Sequence, residues 1–297
     1  MTKLISGFTF IKNGLTLGYP IRESVESIEP VCDEIIINVG FDDPNLVRDD
    51  GTYEYLRDHL THPKYKFVKN YWDPEKTSQG LVFSEQTNLA LKECQGKYCQ
   101  YIQGDEIVHE NDLSLIHNEV IAMEDRPEIE GLIFQYLHFY GNVDIIRYTR
   151  SVYRREVRLI RNGLGIKSWL DAQGFRHADD TKIKAKLSKA RIFHYGWARE
   201  QQVMKEKVQV MSTFYHGPEG DKNQANFAYQ NLWGLKNFEG QHPELMKEWI
   251  RKNRNTLDLR SMKMKFKLKD LGLVLSDGIE KLTNYRMGEY KNYRRIS

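Results

Sequence analysis

Short, nearly unbroken apolar runs alternate along the first hundred residues with stretches whose apolar positions recur every three or four residues. Ile5 to Ile11 (ISGFTFI) is short and β-rich and predicts a first strand. Asn13-Gly14 and Gly18-Tyr19-Pro20 then mark a loop, after which Ile21, Val25 and Ile28 fall at helical spacing. Glu34 to Val39 (EIIINV) is almost continuously apolar, as expected of a strand covered on both faces, and it stops at Gly40-Phe41-Asp42-Asp43-Pro44. Tyr53 to Leu60 predicts a helix, Tyr65 to Val68 a strand, and Ser84 to Cys94 a helix capped by Ser84. Tyr98 to Gln103 predicts another strand, running into Gly104, Asp105 and Glu106. Strand and helix alternating in short units imply a parallel sheet wound with helices.

Beyond Asp112 the pattern gives a helix to about Met123, an aromatic strand at Gly131–Tyr140 and a further strand at Val157–Arg161. Residues 163–180 look like loop, 182–189 like a basic helical stretch, Arg191–Trp197 like a strand, and 199–212 like a helix. In 262–269, lysines at 263, 265, 267 and 269 alternate with Met264, Phe266 and Leu268. That period of two suggests an edge strand with a lysine face, with a helical tail as the alternative.

Two strands that stop at acidic turns would bring carboxylates to one sheet edge, where open α/β sheets bind ligands. Carboxylates there suit a hard divalent cation shared with substrate phosphates. With 40% hydrophobic and 29% charged residues the chain is an ordinary globular protein, which excludes intrinsic disorder. No run approaches the roughly 20 apolar residues that span a bilayer, and the N-terminal segment lacks the apolar core of a signal peptide. Cys32, Cys94 and Cys99 fit neither a zinc site nor a disulfide framework, so a cytoplasmic chain with reduced thiols is expected.

The net charge of +3 hides an asymmetry. Residues 251–297 hold 13 Lys/Arg against 5 Asp/Glu, and the first 250 hold 31 against 36. A basic tail on an acidic body suggests a surface for phosphate, anionic lipid or nucleic acid.

These residues resemble the family 2 glycosyltransferases, nucleotide-sugar-dependent enzymes of the GT-A fold, over roughly residues 4–200. DEIIINVGFDDP looks like the family's second strand and acidic turn, and SEQTNLALKECQGKYCQYIQGDE like its Asn-containing helix and the strand ending on Asp-x-Asp. Here Gln103 stands at the first acidic position, leaving Asp105 and the additional Glu106.

The resemblance implies an α/β, GT-A-like fold with a mostly parallel central sheet flanked by helices. A catalytic domain would span 1–200, with a mainly helical or irregular basic extension, 201–297, packed on it. It implies a hexosyltransferase-like enzyme that moves a sugar from a UDP-, GDP- or dTDP-linked donor onto a surface glycan or lipid-linked acceptor, with inversion. Asp105 and His194, in FHYGW, would hold Mn²⁺ or Mg²⁺ as the Lewis acid for the departing diphosphate. Asp42, Asp43, Asn88, Gln103, Gly104, Asp105, Glu106 and Arg158 would bind the nucleotide sugar. Asp171 is the first choice for the base, with Asp179 and Asp180 in reserve. Arg154, Arg155 and Arg161 offer further phosphate contacts, and Trp72 and Trp169 offer stacking surfaces. The basic tail would rest peripherally on an anionic membrane, and no nucleic-acid partner is expected on this reading.

Two rivals predict other features, and Gln103 leaves a third alternative, a transferase that binds nucleotide but no longer turns over. A sugar-phosphate nucleotidyltransferase needs a Gly-rich basic loop after the first strand, and Lys12 to Tyr19 holds one lysine. A non-catalytic polyanion or nucleic-acid binder would use the tail, where Tyr285, Tyr290 and Tyr293 interleave with basic residues, and would be indifferent to Asp105.

Overall fold

In the computed structural model, which describes residues 3–73, 80–217, 227–255, 257–283, 285–289 and 291–297, the chain opens with repeated β/α steps. Strand β1 (Ile5–Ile11) is followed by α1 (Ile21–Ile28), β2 (Glu34–Phe41) by α2 (Thr52–His59), and β3 (Tyr65–Tyr71) by α3 (Leu81–Lys92). With β4 (Tyr98–Tyr101) these strands lie in the order β3-β2-β1-β4, all parallel. Every residue of β2 is buried, which accounts for its unbroken apolar run. Ile35, Ile37 and Val39 pack with Val25 and Leu56 on one face, and Ile36 packs near Ala90 of α3 on the other.

The second half comprises β5 (Glu106–Val108), α4 (Leu113–Glu124), β6 (Gly131–Tyr140), β7 (Asn142–Arg147), β8 (Arg155–Arg161), β9 (Ile166–Trp169), β10 (Gly174–His177) and β11 (Lys184–Trp197). Strand β8 enters antiparallel between β4 and β6, and β11 runs parallel to β6 while pairing antiparallel with β5. Among the described strands of this sheet only β5, β7 and β8 oppose the common direction. The mostly parallel, helix-flanked α/β architecture expected from the sequence is therefore present.

The remaining residues form α5 (Gln201–His216), β12 (Leu235–Asn237), α6 (Lys247–Asn253), α7 (Leu271–Thr283) and β13 (Arg294–Ile296). They complete the sheet as well as cover it, since β12 pairs with β7 and β13 with the start of β11.

Four local expectations are corrected. Residues 182–189 do not form a helix; 184–189 open the long strand β11, because β6 and β13 offer it partners on both sides. The expected loop at 163–180 contains the hairpin of β9 and β10. Ser84 lies inside α3 and donates its hydroxyl to the Leu81 carbonyl at 3.0 Å instead of capping. Residues 262–267 lie exposed and outside any strand, tied to the rest by a bond from the Lys265 N–H to the Asn231 carbonyl at 3.0 Å.

Candidate functional site

Strand register builds the site. The antiparallel β5–β11 ladder sets His194 opposite Glu106, and the parallel β6–β11 ladder sets it opposite His138. The Asp105 carbonyl accepts the Tyr195 backbone N–H at 2.8 Å, so Asp105 is held beside His194 by main-chain bonds. Its Oδ2 lies 3.6 Å from His194 Nε2. Gly196 makes room for this carboxylate, since a Cβ there would stand 2.2 Å from Oδ2. Around the pair opens a cavity of about 600 Å³, lined by Gln103, Gly104, Asp105, Asp171 and His194 among the residues expected from sequence.

Hydrogen bonding fixes the histidine tautomers. His138 Nε2 faces the Tyr153 carbonyl, which can only accept, so that nitrogen carries the proton. Burial pushes the His138 pKa well down and keeps it neutral, which makes its Nδ1 an acceptor. His194 Nδ1, 3.1 Å away, therefore donates, and the lone pair of its Nε2 turns towards Asp105 and the cavity. Burial also lowers the His194 pKa, against the pull of Asp105 and Glu106, so it is neutral at pH 7.

Asp105 is paired with a lysine. Lys207 of α5 places Nζ 3.4 Å from Asp105 Oδ2 and donates to the Gly196 carbonyl at 2.7 Å. It packs 4.8 Å from the centre of the Tyr19 ring and 5.6 Å from that of Trp197. Burial opposes the charge of Asp105, but His194 and Lys207 outweigh it and hold the carboxyl below its usual range. Burial opposes the charge of Lys207 too, but Tyr19 and Asp105 raise its pKa. Behind it, burial lowers Arg199 to about 10, and among the described residues its Nε and one terminal nitrogen have no hydrogen-bond partner.

The expected Mn²⁺ or Mg²⁺ would have to share Asp105 with a lysine. Asp105 and His194 supply two donors, enough for a cation shared with substrate phosphates, while among the described residues no group of three His, Cys, Asp or Glu side chains could hold a metal alone. A dication on Oδ2 would also meet the ammonium that already shares that oxygen.

Gln103, two residues before Asp105, acts as a brace. Its Nε2 donates to the Tyr101 hydroxyl at 3.2 Å and to the Ala172 carbonyl at 3.4 Å. This ties the end of β4 to the loop bearing Asp171, whose neighbours Leu170 and Ala172 both have positive φ. The Asp171 carboxylate accepts the Tyr215 hydroxyl at 3.2 Å.

Several expected site residues lie elsewhere. Glu106 and Arg158 form a fully buried ion pair, with the guanidinium donating to both carboxylate oxygens at 2.8 and 3.0 Å. Each satisfies the other in the core, so neither lines the cavity. Asn88 is spent on the Ser168 backbone, joining α3 to β9. Asp43 accepts the backbone N–H groups of Asn45, Val47 and Arg48, an organising turn contact that lowers its pKa. Asp42 pairs with Lys12, which does line the cavity. Asp179 and Asp180 are exposed in a turn, bonded to Thr181 and to Lys167 respectively. Arg154 pairs with Glu280, Arg161 holds backbone carbonyls around Met123, and Trp169 stacks with Arg176. In the tail Tyr293 is buried and Tyr285 exposed, while Tyr290 lies outside the described residues.

The cavity contains residues the sequence did not single out. Lys12, Arg147 and Lys207 bring positive charge, and Phe10, Phe83 and Phe214 join the buried Trp72 in an aromatic wall. Among the described residues the Trp72 Nε1–H in that wall has no hydrogen-bond partner. Lys207 left a legible trace, because it interrupts the apolar face formed at helical spacing by Met204, Val208 and Met211.

No protein-family model matches the chain, and no curated protein does. Among solved structures it is similar to residues 1–349 of Staphylococcus aureus TarS, at 14% identity and a TM-score of 0.38, over 71% of this chain and 65% of that one. The chain thus spans just under two thirds of that structure. It is similar to a Pyrobaculum calidifontis mannosyltransferase in complex with GDP-Man and Mn²⁺, at 18% identity and a TM-score of 0.32, over 44% of this chain and 35% of that one. A putative glucose-1-phosphate thymidylyltransferase from Bacillus anthracis is similar at 12% identity and a TM-score of 0.32, over 52% of this chain and 63% of that one.

Proposed function

We propose that the chain transfers a sugar from a nucleoside-diphosphate donor bound in the 600 Å³ cavity to an acceptor hydroxyl, with inversion at the anomeric carbon. One observation carries this reading. A single cavity joins an aromatic wall, a cationic group of Lys12, Arg147 and Lys207, and an isolated carboxylate, Asp171. The aromatic wall suits a nucleobase. The cations suit a diphosphate. Asp171, oriented by Tyr215 and by the Gln103 brace, takes the proton of the attacking hydroxyl.

The acceptor, a surface glycan or a lipid-linked sugar, is met at an anionic membrane surface through α7. No described helix is long and apolar enough to cross a membrane. However, α7 turns Leu271, Leu275 and Leu282 outwards, and Lys263, Lys265 and Lys267 precede it. The segment from 147 to 154 links this helix to the cavity. Arg150 and Arg154 bond to α7, while Arg147, Val152 and Tyr153 line the cavity.

The test is thermal denaturation of the full chain with UDP-, GDP- and dTDP-sugars, because a ligand at 100 times its dissociation constant adds about 2.7 kcal/mol of stability. One nucleotide class should raise the melting temperature, and Asp171→Asn should keep that shift while abolishing transfer. If no donor gives a shift, the reading fails.

A further inference from the structure

The wall holding Asp105 contains more built-in positive charge than its carboxylates balance. Of the cavity-lining groups, Lys12 is matched by Asp42, which leaves Arg147 and Lys207 against Asp105 and Asp171. Arg199, just behind, adds a further cation with two nitrogens unpartnered among the described residues. His138 and His194 are neutral, and burial keeps the Tyr19 phenol protonated. A buried surplus cation is costly unless an anion answers it, so the wall is prepared for an anion.

Lys207 is the cation best placed to meet that anion. Its ammonium is held by Asp105 Oδ2, by the Gly196 carbonyl and by the Tyr19 phenol. It also lines the cavity. We propose that Lys207 is the counter-charge for the leaving diphosphate and that this site works without a divalent cation. The inference rests on the nucleotide-sugar reading and deepens it.

In the step it serves, the acceptor oxygen forms a bond to the anomeric carbon as the bond from that carbon to the β-phosphate oxygen breaks. The electron pair of the broken bond stays on the phosphate oxygen, beside the Lys207 ammonium, and the acceptor proton passes to Asp171. Asp105 is then a positioning residue, orienting the lysine that touches the phosphate. His194 Nε2, a neutral acceptor within the same wall, is available to a sugar or acceptor hydroxyl.

The experiment titrates the full chain with Mn²⁺, read by the paramagnetic signal of the free ion. It then measures binding of UDP, GDP and dTDP, and of the matching nucleosides, in EDTA and in Mn²⁺. Wild type should take up no Mn²⁺ at the site and should bind one nucleoside diphosphate equally well in both media. Lys207→Met should weaken that diphosphate by about tenfold to a hundredfold, the range of a charge-assisted hydrogen bond, while nucleoside binding is unchanged. A merely structural lysine would weaken both alike, which overturns the proposal. Lys207→Arg should restore part of the diphosphate affinity. If Lys207→Met does not fold, the two wild-type measurements and the arginine variant decide. Diphosphate binding that requires Mn²⁺, or Mn²⁺ uptake lost in Asp105→Asn, overturns the inference and leaves the transferase reading standing. Failure of every nucleoside diphosphate in both media overturns that reading and the role of Lys207 with it.

Discussion

The Lys207 ammonium and the Asp105 carboxylate stand 3.4 Å apart in a buried wall, although 102 positions separate them in the chain. One arrives on the turn after β4 and the other on α5, so residues 201–216 complete a site whose acidic half lies in the first 200. Removing one partner of a buried ion pair costs about 3–5 kcal/mol, because the other charge is left without an answer. Asp105→Asn should therefore destabilise by roughly that amount in urea, and Asp105→Asn with Lys207→Met by less than the sum of the two. The sign of the pH effect follows from the depressed pKa of Asp105. Its contribution is present above the ordinary carboxylate range and is lost as pH falls through the lower folded value. An acid-unfolding profile unchanged in Asp105→Asn would contradict this.

Glu156 behaves in the opposite way. Burial raises its pKa to about 7, against hydrogen bonds from the Val157 N–H and the Gln173 side chain and the charges of Arg158 and Arg176. The native chain then binds more protons than the unfolded one between the ordinary value, about 4.3, and 7. Stability must fall as pH rises through that window, by on the order of 3 kcal/mol in total. Glu156→Gln should flatten the profile and be more stable than wild type at pH 8. Equal slopes in the two proteins would refute the assignment.

Arg158 and Glu106 make a contrasting case, a pair that serves the core. Glu106→Gln leaves the guanidinium uncompensated between the rings of Tyr101 and Tyr136, each 5.1 Å away, and should cost about 3–5 kcal/mol. The effect should appear as lost stability in denaturant. In whatever fraction stays folded, nucleotide affinity should be close to wild type. A selective loss of nucleotide affinity at full stability would place the pair in the site after all.

Gly196 offers a test that changes no charge. A methyl group there would press on the Asp105 carboxylate and on His194 Cε1, at 2.2 and 3.0 Å. Gly196→Ala should displace Asp105, loosen Lys207 and reduce nucleoside-diphosphate affinity by about tenfold or more, as for a lost charge-assisted contact. Unaltered affinity in a folded variant would show that the carboxylate position is immaterial.

How far the sequence was legible follows from the range of the interactions. Elements β1 to β4, and α4, were readable because a doubly covered strand such as Ile35–Val39 and a helix such as α1 leave local periodicities, whereas the three residues of β5 are too few to leave one. The nearness of Asp105 to His194 followed from the family resemblance and is realised by the β5–β11 ladder. The composition of 184–189 misled because basic residues on a strand with partners on both sides look like a solvated helix. Glu106 and Arg158 were drawn towards the ligand because a buried ion pair and a phosphate contact use the same residue types. Lys207 was not singled out, although its place on an apolar helix face was visible, because only tertiary packing brings that face to Asp105.

The outward face of α7 gives the last prediction. Leu271, Leu275 and Leu282 recur at helical spacing, and Leu275 and Leu282 are 65% and 88% exposed. The opposite face is fastened to the protein by polar bonds. Glu280 pairs with Arg154 and Arg286, Asp277 accepts from the Trp233 indole at 3.0 Å, and Ser276 donates to the Met287 carbonyl. The helix therefore shows its apolar side to solvent, the reverse of a surface helix whose only role is to cover a core. Exposed Met262, Met264, Phe266 and Leu268 continue the apolar surface, with Lys263, Lys265 and Lys267 between them. Leucines flanked by lysines match an anionic lipid interface, where each basic residue contributes about 1 kcal/mol and salt weakens the attraction. The chain should float with phosphatidylglycerol vesicles, release as salt rises, and bind phosphatidylcholine vesicles poorly. Leu275→Glu with Leu282→Glu should abolish flotation, since two leucines lose roughly 3 kcal/mol or more of burial. Replacing the three lysines with glutamine should weaken binding by several kcal/mol at low salt. Equal binding to both lipids, or a dimer in solution that the leucine variants dissociate, would assign this face to another occupant.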